Sequence, residues 1–213
     1  MQKRIKALIM SFAAITVCLT LLSFGTYALF SDSVTVEHHL QAGSLDAKLE
    51  RTNLESKVLG ADGYLETETN NNLVDFTSST SLTSNVFDLE DKELVAPGTS
   101  YEATMKLSNN GTVAFSYWIA ISFKDKEASD LASQLKVYVT TYDEDGDEVV
   151  KEAYIKDGLL VGSETAPLGE LAKGASVNFK VKVVFEDLIN NNAAQNDEVN
   201  FDLAVYAVQV LEK

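Results

Sequence analysis

The amino-acid sequence predicts an all-β protein, an antiparallel β-sandwich of jelly-roll type with one short helix and one long polar loop insertion. Three observations support this prediction. Apolar and polar residues alternate along several segments, dipeptides typical of tight turns separate some of these segments, and one stretch shows helical spacing. Because successive side chains of a strand point to opposite faces, each alternating segment can bury one face and expose the other.

The alternating segments are the strongest evidence for strands. Residues 44–50 and 101–107 alternate, and the same period of two returns over 177–185 and 199–207. Segments of this kind are typical of antiparallel sheets with one solvated face. Residues 113–123 are apolar on both faces, which indicates a central strand.

Two dipeptides between the segments predict hairpin turns. Asn110-Gly111 separates two of the strand candidates, and Asp145-Gly146 separates two others. Both dipeptides tolerate the positive φ angles that tight hairpins need.

The helix and the loop insertion are predicted from spacing and composition. Ala128, Leu131 and Leu135 recur at helical intervals, so a short helix is expected at about 126–134. Residues 66–85 are rich in Thr, Asn and Ser and keep no sustained period, which predicts a long surface loop.

Composition and charge exclude several classes of function. The 213 residues carry 17 basic and 32 acidic side chains, a net charge of −15, with two His and one Cys. So acidic a surface is unsuited to binding the phosphates of nucleic acids. Two adjacent histidines and one cysteine cannot form a Cys/His zinc site and leave little for a Ser-His-Asp arrangement. We therefore expect a structural or binding protein and not an enzyme.

Residues 1–28 have the layout of a secretory signal peptide. An apolar run over 7–24 follows a positively charged start, and the small residues Thr26 and Ala28 occupy the −3 and −1 positions of a cleavage site. We expect cleavage between Ala28 and Leu29, so that the chain contacts the membrane only before processing. The alternative is a single membrane anchor, since about 18 apolar residues lie at the lower limit of a spanning length.

Cleavage would leave a mature domain, residues 29–213, that is more acidic than the whole chain. Its 14 basic and 32 acidic residues give a formal charge of −18, and the only cysteine, Cys18, is removed. An exported domain without disulfides is stabilised by its core alone, and 185 residues are enough for such a core.

Several strings, in a shared order along the chain, resemble one protein family. Residues 25–32 (GTYALFSD) look like a signal-peptide exit handled by the SipW-type signal peptidase of Gram-positive bacteria. Residues 40–46 (LQAGSLD) are similar to the opening of the mature domain in the TasA/camelysin family. Further strings similar to that family lie at 94–98, 107–112, 131–139, 191–195 and 201–209. The resemblance leaves out a polar insertion at about 52–85 and the region 143–175.

The resemblance implies a fold, a location and partners. Members of the family are exported jelly-roll proteins that polymerise into extracellular fibres of a biofilm matrix, where the mature N-terminal segment serves as a donor strand for the next subunit. The implied partners are further copies of the chain, a SipW-type signal peptidase and an accessory assembly protein. The family also includes a proposed metalloprotease, camelysin. A camelysin-like secreted or cell-surface metalloprotease and a monomeric exported adhesin are therefore the alternative functions.

Polymerisation can also be argued from the residues of the mature N-terminal arm, 29–37. The arm begins apolar with Phe30 and then alternates, with Val34 and Val36 on one face. A free arm of this kind can pair with an open sheet edge of another subunit, and such a contact propagates because it does not close on itself. The alternative is that the arm forms the first strand of its own sheet.

Candidate chemical sites are few. His38 and His39 are adjacent, so on a strand they point to opposite faces, and the sequence has no H-E-x-x-H motif of a zinc protease. Acidic residues surround the predicted turn at Gly146, and they resemble the first half of a calcium loop without the remaining EF-hand ligands. We expect no cofactor, with weak surface Ca²⁺ binding as the alternative to a solvated hairpin tip. The three candidate ligands are Asp143, Asp145 and Asp147.

Overall fold

A computed structural model describes most of the chain after the predicted signal peptide. By their contacts, residues 1–31 and residues 32–213 form separate units. The described residues are 31–34 (main chain only), 44–77, 86–89, 96–124, 130–189, 191–194, 197 and 199–210.

The described part of the chain is built almost entirely from strands. Three single-turn 3₁₀ helices are the only helical elements described, at Leu131–Ser133, Ile155–Asp157 and Asn191–Ala194. None of the described helices is long and apolar enough to cross a membrane. The strands are β1 (Ser31–Val34), β2 (Ala47–Leu59), β3 (Leu65–Asn70), β4 (Val74–Asp75), β5 (Ser100–Asn109), β6 (Phe115–Phe123), β7 (Leu135–Tyr142), β8 (Glu148–Tyr154), β9 (Leu159–Val161), β10 (Gly169–Leu171), β11 (Ser176–Phe185) and β12 (Phe201–Gln209).

The strands form two sheets that enclose one core. The five-stranded sheet has the order β1-β12-β6-β10, and β9 also pairs with β6. The seven-stranded sheet has the order β3-β2-β5-β11-β7-β8, and β4 also pairs with β2. The chain passes repeatedly between the sheets, since β2–β5, β7–β8 and β11 belong to the larger one and the others to the smaller. This arrangement confirms the predicted all-β sandwich.

The inner faces are those that the alternation predicts. Along β5, Tyr101, Ala103, Met105 and Leu107 are buried, and the residues between them are only half-buried. At one end of the sandwich, Phe87 contacts both sheets, with ring centroids 6.4 Å from Tyr101 and 6.3 Å from Phe201. Phe87 therefore closes that end of the core.

The prediction of a hairpin at Asn110-Gly111 is wrong. The segment instead carries the chain from β5 in the larger sheet to β6 in the smaller one. Its neighbour Asn109 is fully buried and holds this crossing through its side-chain amide. A Cβ on Gly111 would lie 2.0 Å from the Ser44 carbonyl oxygen, so the glycine is needed for close approach of two main chains.

The prediction of a hairpin at Asp145-Gly146 is confirmed. The two residues lie in the turn between β7 and β8, which pair in antiparallel register from Lys136–Tyr154 to Tyr142–Glu148. Gly146 has φ = 86°, a left-handed value that glycine adopts without strain.

The helix and loop predictions need correction. Within 126–134, the structure describes one 3₁₀ turn, and Leu135 begins β7 and does not extend a helix; residues 125–129 lie outside the described part. The first part of the predicted loop 66–85 is strand, because β3 pairs with β2 in a hairpin and β4 pairs with it further along. All but one residue of β3 are exposed, so no apolar alternation marked it.

The phase of β2 changes at a β-bulge, which explains why the sequence predicted a strand that stops at residue 50. The pairing with β5 shifts between Arg51 and Asn53. Ala47, Leu49 and Arg51 face the core before the bulge, and Leu54 faces it afterwards. One extra residue reverses the parity of all that follow.

Candidate functional site

The candidate site is the edge of the five-stranded sheet where β1 lies beside β12. β1 comes from the mature N-terminal arm, so the arm forms the edge strand of the sheet in this chain. Of the three predicted donor residues, only Val34 belongs to β1, and Phe30 and Val36 lie outside the described residues. The predicted cleavage pair, Ala28 and Leu29, also lies outside them.

β12 is a nine-residue strand that is held firmly from one side. It pairs with β6 along its whole length, from Phe201 opposite Phe123 to Gln209 opposite Phe115. Val205 is 1% exposed on the inner face, so the strand is anchored in the core. The opposite edge of β12 is where β1 lies. A strand in this position offers its main-chain N–H and C=O groups to one further strand.

Aromatic packing stabilises the solvent side of the same two strands. The rings of Trp118 on β6 and Tyr206 on β12 stack at 5.3 Å between centroids with 11° between their planes. At the end of the pair, Lys124 and Asp202 form a salt bridge of 2.6 Å. These cross-strand contacts stabilise the pairing of β12 with β6.

β8 is an open edge strand of the larger sheet. Lys136 on β7 forms a 2.8 Å salt bridge with Glu152 on β8, and this hydrogen bond raises the pKa of the lysine. The Tyr154 hydroxyl donates a 2.9 Å hydrogen bond to Glu186, which raises the pKa of the phenol because the carboxylate favours the protonated form. β8 is therefore tied to the sheet at both of these positions.

The three predicted calcium ligands lie together in the β7–β8 turn, but one carboxylate has another role. Asp143 Oδ1 accepts hydrogen bonds from the main-chain N–H groups of Asp145 (3.0 Å) and Asp147 (2.9 Å). Within the described ranges, no group of three or more His, Cys, Asp or Glu side chains is placed to hold a metal ion. His38 and His39 lie outside those ranges.

A buried arginine is a feature that the sequence reasoning missed. Arg51 is 0% exposed, its Nη1 donates to the Val86 carbonyl oxygen at 2.8 Å, and its Nη2 pairs with Asp88 at 2.6 Å. Asp88 has φ = 53°, an uncommon left-handed value for a residue with a side chain. The arginine thus fixes residues 86–89, which carry Phe87 into the core. The signal available in the sequence was that Arg51 continues the parity of the apolar residues Ala47 and Leu49.

Comparison with known proteins gives one family. Residues 3–58 match the family model described as Camelysin metallo-endopeptidase. The match runs from the predicted signal peptide through most of β2, and it confirms the resemblance to the TasA/camelysin family expected from the sequence. The match also supports the prediction that the protein is secreted. No curated protein matches the chain.

Proposed function

We propose that this protein is a secreted structural subunit that polymerises into extracellular fibres of the biofilm matrix by exchange of its mature N-terminal strand. The observation that carries the proposal is the position of β1, an edge strand from the N-terminal arm that lies beside β12. The family match supports it through the secreted character of the relatives.

The exchange uses a pairing that the fold already contains. β1 is separated from β2 by residues 35–46, a connection long enough to leave the domain. If β1 of one copy takes the place of β1 beside β12 of the next copy, the main-chain hydrogen bonds are kept. The contact joins two different surfaces and so generates an open chain of subunits.

Processing and location follow from the same proposal. A SipW-type signal peptidase cuts between Ala28 and Leu29 and frees the arm, and the product acts at the cell surface or in the extracellular matrix. An accessory assembly protein can start a fibre by offering the first strand. The subunit needs no cofactor for this function, and weak Ca²⁺ binding at Asp143, Asp145 and Asp147 stays a prediction.

Deleting residues 29–37 tests strand exchange directly. We expect a folded monomer that forms no fibres by electron microscopy, because each copy then lacks the strand it would donate. The matched control replaces the nine residues with Gly and Ser, which keeps the length and removes the alternating apolar side chains. A synthetic peptide of residues 29–37 should bind the truncated chain and raise its Tm. Normal fibres from the truncated chain would rule out strand exchange.

The second candidate function is a secreted metalloprotease, favoured by the description of the matching family model. It predicts cleavage of casein that stops on addition of a chelator and on substitution of His38 or His39. Activity that survives both treatments, or no activity in the purified secreted protein, would exclude it.

A further inference from the structure

The seven-stranded sheet has a second pair of surfaces suited to assembly. Its outermost strands are β3 at one edge and β8 at the other, and among the described residues each pairs with one neighbouring strand. The side chains of both strands are mostly exposed, including Val149 at 38% and Val150 at 50%. Exposed edge strands of this kind are templates for pairing with another chain.

The directions of the two edges are compatible. Each neighbouring pair from β3 to β8 is antiparallel. Across six strands the direction alternates, so β3 and β8 run in opposite directions. A second copy that is shifted sideways and rotated by the twist accumulated across the six strands therefore brings its β8 antiparallel to β3 of the first copy, which continues the hydrogen-bonding pattern of the sheet.

The charges on the two edges are complementary at one position. Glu68 on β3 is opposite Ser56, which is itself opposite the buried Tyr101. Lys151 on β8 is opposite the buried Val139. Glu68 and Lys151 therefore lie on the same side of the sheet, and a register that places them opposite each other keeps every residue on its own face.

There is room beside Glu68 for a long side chain. Glu68 and Asn70 line a cavity of about 430 Å³ between the β2–β3 hairpin and residues 86–89. Within the described part of the chain, neither Glu68 nor Lys151 forms a salt bridge. β8 is also ordered in advance by its contacts to Lys136 and Glu186, so little conformational entropy is lost when it docks.

From these observations we infer that β8 of a second copy of this chain docks against β3, with Lys151 facing Glu68, and joins the seven-stranded sheets of successive copies. This interface goes beyond strand exchange, because it uses the other sheet and does not involve residues 29–37. Each of the two edge strands carries two glutamates, and Lys151 is the one basic residue of either strand, so the Lys151–Glu68 pair favours the register that brings opposite charges together.

Engineered cysteines test the register in the full chain, with Cys18→Ser to remove the only native thiol. Thr69→Cys and Val150→Cys face each other in the inferred register, at a separation that suits a disulfide. We expect mild oxidation to give a ladder of cross-linked oligomers. The matched control, Thr69→Cys with Val149→Cys, places the thiols on opposite faces and should give at least about tenfold less product. Equal products from both chains, or none from the first, would overturn the inference.

Charge reversal gives a second test. In the Thr69→Cys, Val150→Cys chain, Lys151→Glu should slow cross-linking about fivefold, and adding Glu68→Lys should restore the rate. Lys173→Glu changes the net charge equally at an exposed turn and should have little effect. A Lys173→Glu effect as large as that of Lys151→Glu would show that net charge, not this pair, controls association. The Thr69→Cys, Val150→Cys chain without residues 29–37 distinguishes the two contacts, because it keeps both sheet edges but has no strand to donate: cross-linking should persist while fibres seen by electron microscopy are lost.

Discussion

Asn109 is the residue whose side chain does most to hold the crossing between the two sheets. Its Nδ2 donates to the carbonyl oxygens of Val113 (2.8 Å) and Leu171 (2.9 Å), and its Oδ1 accepts from Gly111 N–H at 2.9 Å. Asn109→Ala leaves these buried groups without partners, so we expect the free energy of unfolding to fall by about 3 kcal/mol. Chemical denaturation measures this. Asn110→Ala, at an exposed neighbour, is the control, and an equal loss in both variants would contradict the assignment.

In the connection between β5 and β6, the end of the strand could be predicted from the sequence, but the crossing to the other sheet could not. Asn110-Gly111 was correctly identified as the end of a strand, because glycine and asparagine break regular structure. The dipeptide does not specify whether the next strand pairs beside the last or crosses to the facing sheet. That choice depends on the close approach of Gly111 to Ser44 and on the burial of Asn109, which involve residues far apart in sequence.

Among the elements, residues 86–89 act as a plug between the sheets. Phe87 is 5% exposed and contacts rings of both sheets, and Arg51 holds the plug through Val86 and Asp88. Phe87→Ala should lower the free energy of unfolding by about 3–4 kcal/mol, measured by denaturation. Leu73→Ala, at a side chain 63% exposed, should change it by less than about 0.5 kcal/mol. A small effect of Phe87→Ala would mean that the core closes without the plug.

Strands with one buried face could be predicted, and strands without one could not. β5, β11 and β12 lie where alternation placed them, because each contributes apolar residues to the core at a period of two. β3 gave no such signal because main-chain pairing with β2 holds it. For the candidate site, the arm and its strand character were predictable, but the identity of β12 as its neighbour required the fold.

At the scale of the whole molecule, the open sheet edges and the strong negative charge have opposite effects on association. Two sheets with open edges favour association, whereas a formal charge of −18 on the mature domain opposes it. For the proposed fibre subunit, this balance predicts assembly that depends on the solution conditions. The net charge is the sum of all ionised side chains and could be obtained from the sequence alone, whereas the open edges required the fold.

Assembly of the mature protein should therefore respond to pH and salt. Raising the ionic strength from about 0.01 M to 0.15 M shortens the screening length from about 30 Å to 8 Å, and acidification towards pH 4 neutralises carboxylates. We expect fibre formation, followed by turbidity and electron microscopy over pH 4–8, to be at least about threefold faster under both changes, with circular dichroism confirming a folded chain. Assembly that is unaffected by both pH and salt would contradict charge control.

Millimolar Mg²⁺ should accelerate assembly as much as Ca²⁺ does if divalent cations only screen charge, whereas acceleration by Ca²⁺ alone would assign the effect to the Asp143, Asp145 and Asp147 turn.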